Sequence, residues 1–288
     1  MATWRELQED TARHLGAHGI SSAGAEARWM IEDFAGCNAA QMALHLDEPA
    51  EGDDLKMLDT WLERRERGEP LQYILGHWSF RGLAVLVDER VLIPRPETEV
   101  VVQTAVDILK IVPGSEELIV ADLGTGSGVI AISVATEIPH AEVWATDMSE
   151  SALQVARINA TIAGLIGDRV QFRQGDWFDA LPQELHGELN LIVSNPPYIA
   201  ESEMSELPDE VRMFEPHEAL VSGTDGLDAT RIVLSEARNW LAPNGHVVLE
   251  IAEQRAQETM ELAQKYGFTN THLENDLAGK PRCLVTKR

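Results

Sequence analysis

Cysteine is nearly absent. Two thiols, Cys37 and Cys283, stand near opposite ends of 288 residues with no Cys-x-x-Cys motif, which excludes a disulfide framework and a cysteine-held zinc site and leaves both as small core residues. Long apolar runs are absent too. None approaches the ~20 residues that span a bilayer, and the first ten positions carry Arg5, Glu6, Glu9 and Asp10 in place of an apolar signal segment. A cytoplasmic protein with no membrane partner is the expectation. Basic charge is scarce: 23 Lys and Arg against 48 Asp and Glu leave a formal net charge of -25, so the chain repels polyanions unless cations are gathered in one place. The one close basic group, Arg64, Arg65 and Arg67, is interleaved with Glu63, Glu66 and Glu69 as on a solvated helix face. What is present is ordinary for a globular chain, 44% hydrophobic and 25% charged, and long enough for one large domain or two smaller ones with a substantial core.

Before residue 75 the pattern is helical. Thr3 and Glu6 have capping-box spacing; Ala27, Met30, Ile31 and Phe34 share one helical face with Gly36 as its stop; Leu55, Leu58, Trp61 and Leu62 form a second stripe ended by Gly68 and Pro70. Residues 1–75 are therefore expected to be a helical domain. Residues 76–97 follow as a β-hairpin turning at Arg81-Gly82 and a proline-stiffened linker, Ile93 to Glu97, that opens a helix near Thr98. From 98 to 288 short β-branched runs alternate with helical stretches, the signature of an α/β domain with a doubly wound parallel sheet. Strands are expected near Leu118 to Asp122, Glu142 to Thr146, Val170 to Arg173, Leu189 to Ser194, His246 to Ile251, Phe268 to Leu273 and Cys283 to Thr286. No helix separates the last two, so the final strand must run antiparallel. That matches the seven-stranded methyltransferase variant of the fold better than a dinucleotide dehydrogenase.

The first of these strands runs into Asp122-Leu123-Gly124-Thr125-Gly126-Ser127-Gly128 and then a helical run. Glycines there allow a sharp turn and a close approach of backbone to ligand. The third position of a dinucleotide fingerprint is occupied by Val129, and the third glycine comes one residue early, at Gly128, as in loops that lie beneath the amino-acid part of S-adenosyl-L-methionine. Asp147 ends the second strand, where an acid accepts hydrogen bonds from ribose hydroxyls; Asp176 and Trp177 end the third, where a polar group meets an adenine amine and an indole covers the ring.

The fourth strand ends in Ser194-Asn195-Pro196-Pro197-Tyr198. A planar amide or aromatic amine is a poor nucleophile because its lone pair is delocalised. The Asn195 amide oxygen and the Pro196 carbonyl are placed to accept its two hydrogens, two prolines stiffen that carbonyl, and Tyr198 offers a face for a planar substrate. Asn195, Pro196 and Tyr198 are thus the catalytic candidates, and with Pro197 the candidate substrate contacts. No metal is expected: His14 and His18 have the spacing of a helical metal pair, but Leu15-Gly16-Ala17 supplies no carboxylate.

These residues resemble the protein-(glutamine-N5) methyltransferases of the PrmC (HemK) type, which act on the Gly-Gly-Gln glutamine of peptide chain release factors. The resemblance covers nearly the whole chain. It rests on Gly124 to Gly128, Asn195 to Tyr198, the segment Leu92 to Glu99, and the pair Glu215 to Leu220 and Gly223 to Asp228. It implies the class I seven-stranded methyltransferase fold with a small helical amino-terminal domain that docks the protein substrate. It also implies S-adenosyl-L-methionine held by Gly124, Thr125, Gly126, Ser127, Gly128, Asp147, Trp177 and Asn195, and release factors as partners. A sister family acting on a ribosomal protein glutamine usually reads Pro-Arg-Ser-Pro where this chain has Pro94-Arg95-Pro96-Glu97. Enzymes methylating exocyclic base amines share the Asn-Pro-Pro-Tyr box, but here seven acids against Arg212 lie between Ile199 and Glu218, a poor rim for a phosphate backbone. A non-catalytic adaptor is a further alternative, and it has no use for an intact Asn195 box.

Overall fold

The computed structural model describes residues 2–50, 55–112, 117–165 and 169–288. They divide into two compact units, Met1–Gly76 with Asp209–Phe214, and His77–Pro208 with Glu215–Arg288.

The first unit is helical: α1 (Trp4–Ala17), α2 (Ala23–Phe34), α3 (Ala39–His45), α4 (Leu55–Glu66) and α5 (Leu71–Leu75). Capping boxes start two of them, Thr3 with Glu6 on α1 and Asn38 with Gln41 on α3, each satisfying backbone N–H groups that a helix start leaves open. Ala27, Met30 and Ile31 of α2 are buried as their spacing predicts, against Leu15, Leu58 and Trp61. Phe34 sits edge-on to Trp4 and Trp61. The Leu55 side chain of the second predicted stripe lies outside the described residues. Two expectations need correction. Residues 209–214, far away in sequence, belong to this unit, because Arg65 is nearly buried between Glu26 (Nε to Oε2, 2.7 Å) and Glu210 (3.1 Å). His14 and His18 do meet a carboxylate, since α4 brings Glu66 to both; all three are exposed, and the hydrogen bond from His14 holds the Glu66 carboxyl below its usual range.

The second unit begins with the hairpin β1 (His77–Phe80) and β2 (Leu83–Leu86), turning through Arg81 and Gly82, both at positive φ, as a two-residue hairpin turn requires. Read from sequence as a hairpin and linker apart from the sheet domain, residues 77–97 are part of this unit. The elements α6 (Thr98–Lys110), β3 (Leu118–Leu123), α7 (Val129–Glu137), β4 (Ala141–Asp147), α8 (Glu150–Ile162), β5 (Val170–Gln174) and β6 (Leu189–Ser194) follow. After α9 (Asp209–Phe214), which belongs to the first unit, come α10 (Asp228–Trp240), β7 (Leu241–Glu250), α11 (Ala256–Lys265), β8 (Asn270–Asn275) and β9 (Pro281–Lys287). The Asn159 side chain on α8 fastens the hairpin to this body. It accepts from Leu86 N (2.6 Å) and donates to the carbonyls of Leu86 (3.0 Å) and Ser127 (2.9 Å).

Seven strands form one sheet in the order β5-β4-β3-β6-β7-β9-β8, with β9 antiparallel to both neighbours and the rest parallel. The near-continuous apolar runs of β3 and β6 follow from burial on both faces. The order reverses between β3 and β6, and it is outside the carboxyl ends of such a pair that an open α/β sheet leaves its crevice. The register sets those ends level. Leu123 pairs with Thr146, Asp147 with Gln174, and Ser194 with Leu249, so the residues that follow each strand converge on one edge.

Candidate active site

Along that edge a cleft is lined by the glycine loop, the ends of β4 and β5, Asn195 and Pro197. The loop is shaped by its own sequence. Gly124, Gly126 and Gly128 all have positive φ, and a Cβ at Gly128 would lie 3.0 Å from Ala156 Cβ on α8, so glycine there also admits the neighbouring helix. Beneath it Asp122 is fully buried, accepting from Thr125 Oγ1 (2.6 Å) and Ala131 N (3.1 Å) and tying the loop to the first turn of α7. Burial pushes its carboxyl up to about 7, against those two hydrogen bonds.

Asp147 stands at the end of β4, its Oδ2 accepting from Gly126 N (2.8 Å) and its Oδ1 from Ser149 N (2.9 Å). Burial raises its carboxyl and Glu218 adds to the rise; the two N–H donors oppose it. Each oxygen keeps a lone pair for a hydroxyl donor. Trp177 opens a short turn after β5 with φ at 43°, a costly angle for a bulky side chain, and its six-membered ring lies over Gly124, where a Cβ would come within 3.7 Å. Thr125, Ser127 and Asp176 share this wall.

Across the cleft Asn195 follows β6, and its Nδ2 donates to Thr98 Oγ1 at 3.3 Å. Thr98 donates in turn to Glu250 Oε2 at 2.7 Å, and Tyr198 Oη to Glu250 Oε1 at 3.5 Å. Glu250 ends β7 with 2% of its surface exposed, and burial lifts its carboxyl to about 7. The Tyr198 hydroxyl is raised above its ordinary value by burial and by Glu250. The chain beyond Tyr198 is held by a bridge to the Leu220–Ser222 segment, with Ile199 N donating to Leu220 O and Ser222 N to Ile199 O, each near 3 Å. A Cβ at Gly226 would lie 2.5 Å from the Tyr198 carbonyl, so glycine there lets the loop Gly223 to Asp228 close over this segment. Glu215 is buried, accepts from Ile93 N (3.3 Å) and pairs with Arg95, fixing the proline-rich segment that carries Thr98 into the cleft wall.

Gly124, Thr125, Gly126, Ser127, Asp147, Trp177, Asn195 and Pro197 are thus brought together on one cleft. Gly128 stands just behind, under α8. Two candidates are placed otherwise: Pro196 and Tyr198 are not on the cleft wall, and the Tyr198 hydroxyl donates to the buried Glu250. Thr98 and Glu250 were missed as site residues. Thr98 was visible only as part of the segment from Leu92 to Glu99, and Glu250 only as an acid closing an apolar strand. The acid-rich segment is also less negative than its own sequence implies, since Glu203 pairs with Arg255 and Glu215 with Arg95.

A glycine loop, an acid and an aromatic at successive strand ends of a sheet whose last strand is reversed define a methyltransferase. Residues 115–280 match the family model described as a methyltransferase domain, and residues 6–76 that of the PrmC N-terminal domain. A release factor glutamine methyltransferase from Gloeobacter violaceus is 39% identical over 286 residues, spanning 98% of this chain and 95% of its own. Another, from Coxiella burnetii, is 41% identical over 233 residues, with 81% and 80% covered. The chain belongs to the release factor glutamine methyltransferase family. The crystal structure of a ribosomal protein L11 methylase from Lactobacillus delbrueckii subsp. bulgaricus shares the fold, with a TM-score of 0.50 at 18% identity over 73% of this chain and 96% of that one.

Proposed function

We propose that this protein methylates the side-chain amide nitrogen of the glutamine in the Gly-Gly-Gln motif of peptide chain release factors, with S-adenosyl-L-methionine as donor. The observation that carries the reading is the position of Asn195, on the cleft wall facing the glycine loop and Asp147. The residues suit the cofactor. Asp147 is half-buried at a strand end with lone pairs left for ribose hydroxyls, the open space above Gly126 would be filled by a side chain growing from it, and Trp177 offers a ring beside the loop. When bound, the cofactor supplies an electrophilic methyl group on a sulfonium that is already a good leaving group. Gly124 to Gly128 shape the floor beneath its amino-acid part, Asp147 takes the ribose and Trp177 the adenine.

Asn195 Oδ1, on the cleft wall, accepts an N–H bond of the substrate amide, which aligns its nitrogen and favours the positive charge it gains in the transition state. Tyr198 acts from behind the wall and not as a stacking face. The helical unit docks the release factor. The protein resides in the cytoplasm. The family membership favours this substrate over a ribosomal protein or a nucleic-acid base.

The experiment is a full-length release factor incubated with this protein and methyl donor, followed by peptide mapping. One added methyl on the motif glutamine is the expected result; methyl on another residue, or on duplex DNA offered in parallel, refutes the reading. Asn195→Ala is expected to slow turnover by ~100-fold or more with substrate affinities little changed, because the lost acceptor acts where charge develops. Single-turnover rates at saturating cofactor measure this.

A further inference from the structure

We propose that Glu250, acting through Thr98, orients the Asn195 side-chain amide so that its oxygen and not its NH2 group is presented to the substrate nitrogen. The inference rests on the reading of Asn195 as the acceptor for the substrate amide. Its basis is a chain of three hydrogen bonds whose directions follow once the Glu250 carboxyl is ionised.

An ionised carboxylate has no proton to give and a threonine hydroxyl has one. Thr98 Oγ1 lies 2.7 Å from Glu250 Oε2, so above about pH 7, where Glu250 is ionised and where the test is to be run, its proton goes to the carboxylate. The threonine oxygen is then free only to accept. The end of the Asn195 amide that meets it, at 3.3 Å, must be the donor end, Nδ2. The two ends of a primary amide are alike in shape and opposite in polarity, and this contact tells them apart: the NH2 is committed to Thr98 and Oδ1 is left for the cleft that Asn195 lines. Tyr198 Oη donates to the other carboxylate oxygen, so the same carboxyl also secures the far end of the Asn-Pro-Pro-Tyr segment. Glu97 and Arg282 are further charges that act on it, of opposite sign. Glu250 itself is buried and off the cleft wall, which makes it a positioning residue.

Without the relay the amide can turn over. Its NH2 would then point at the N–H bonds of the substrate, donor against donor, and the acceptor that favours charge on the nitrogen would be gone. The loss would fall on the transition state and leave the binding of the ground state largely intact.

The test compares Thr98→Val, which keeps the shape and removes the hydroxyl, with Thr98→Ser, which keeps the hydroxyl. In the full-length protein without ligand, hydrogen exchange of the Asn195 side-chain NH2 is followed by NMR. With a release factor and methyl donor, kcat and KM are measured, and cofactor affinity by calorimetry. The valine variant is expected to lose at least ~10-fold in kcat with KM and cofactor affinity within about threefold, and to exchange the amide protons ~10-fold faster. The serine variant is expected to match wild type in all of these. Undiminished turnover in the valine variant, a serine variant as slow as the valine one, or unchanged amide exchange overturns the proposal. If the wild-type protein methylates no release-factor glutamine, the functional reading fails, while the exchange comparison still decides whether the hydroxyl orients Asn195.

Discussion

At the scale of single residues the recurring problem is a polar group without water. Asp122 and Glu250 are both carboxyls buried at strand ends, and each is raised to about 7 because burial penalises the charged form more than its hydrogen bonds favour it. For Glu250 this has a consequence for stability. Between the ordinary glutamate range and about 7 the folded protein holds a proton that the unfolded chain releases, so stability contributed by this group is full at low pH and falls as pH rises through that window. Glu250→Gln abolishes the titration. Its stability relative to wild type should therefore improve as pH rises from about 4.5 to about 7, by about 3 kcal/mol across the window, and level off above it. Urea denaturation of both proteins at a series of pH values measures the difference. A flat difference would place the Glu250 proton elsewhere.

Elements are coupled by side chains that reach across the fold. Asn159 on α8 meets the hairpin strand β2 and the glycine loop with three hydrogen bonds from a side chain that is almost fully buried. No apolar residue replaces it without stranding Leu86 N–H and two carbonyls away from water. Asn159→Ala is expected to destabilise the second unit by about 3 kcal/mol and to speed amide exchange at Leu86 well ahead of global unfolding. Thermal denaturation and exchange mass spectrometry on the intact chain read both effects; unchanged exchange at Leu86 would show that the hairpin is held by its own packing. Asn190 shows the same economy within the sheet. Its Oδ1 accepts from Ile119 N at 2.8 Å at the start of β3, a task that needs an acceptor but no charge.

Over the whole molecule the net charge of -25 dominates. Many arginines are paired with acids, among them Arg65, Arg81, Arg90, Arg95, Arg231 and Arg255, yet 23 cations cannot balance 48 anions. The excess anions repel one another most in the compact state, and salt screens that repulsion. The unfolding temperature is accordingly expected to rise between about 0.05 and 1 M sodium chloride, by roughly 2 to 4 °C for each kcal/mol of repulsion relieved. Calorimetry at several salt concentrations measures it, and a fall with salt would mean that the ion pairs outweigh the net charge.

The sequence by itself determined what depends on neighbours along the chain. The capping box at Thr3, the hairpin turn at Arg81-Gly82, the strand-to-helix turn at Gly124 to Gly128 and the reversed final strand are local patterns of side-chain size, hydrogen bonding and connection length, and each is found where the residues put it. The Asn-Pro-Pro-Tyr box was legible as a candidate site for the same reason, since it follows a strand at the sheet edge where the cleft lies. The tertiary structure alone decided which way its members face. Tyr198, which is not on the cleft wall, gives its hydroxyl to a buried carboxyl 52 positions further on. Thr98 joins the site from 97 positions before Asn195, and Glu210 leaves its neighbours in sequence for Arg65, 145 positions away. No periodicity records such pairings. They arise because a charge or hydroxyl removed from water must be answered by whatever complementary group the packing of distant segments brings within about 3 Å.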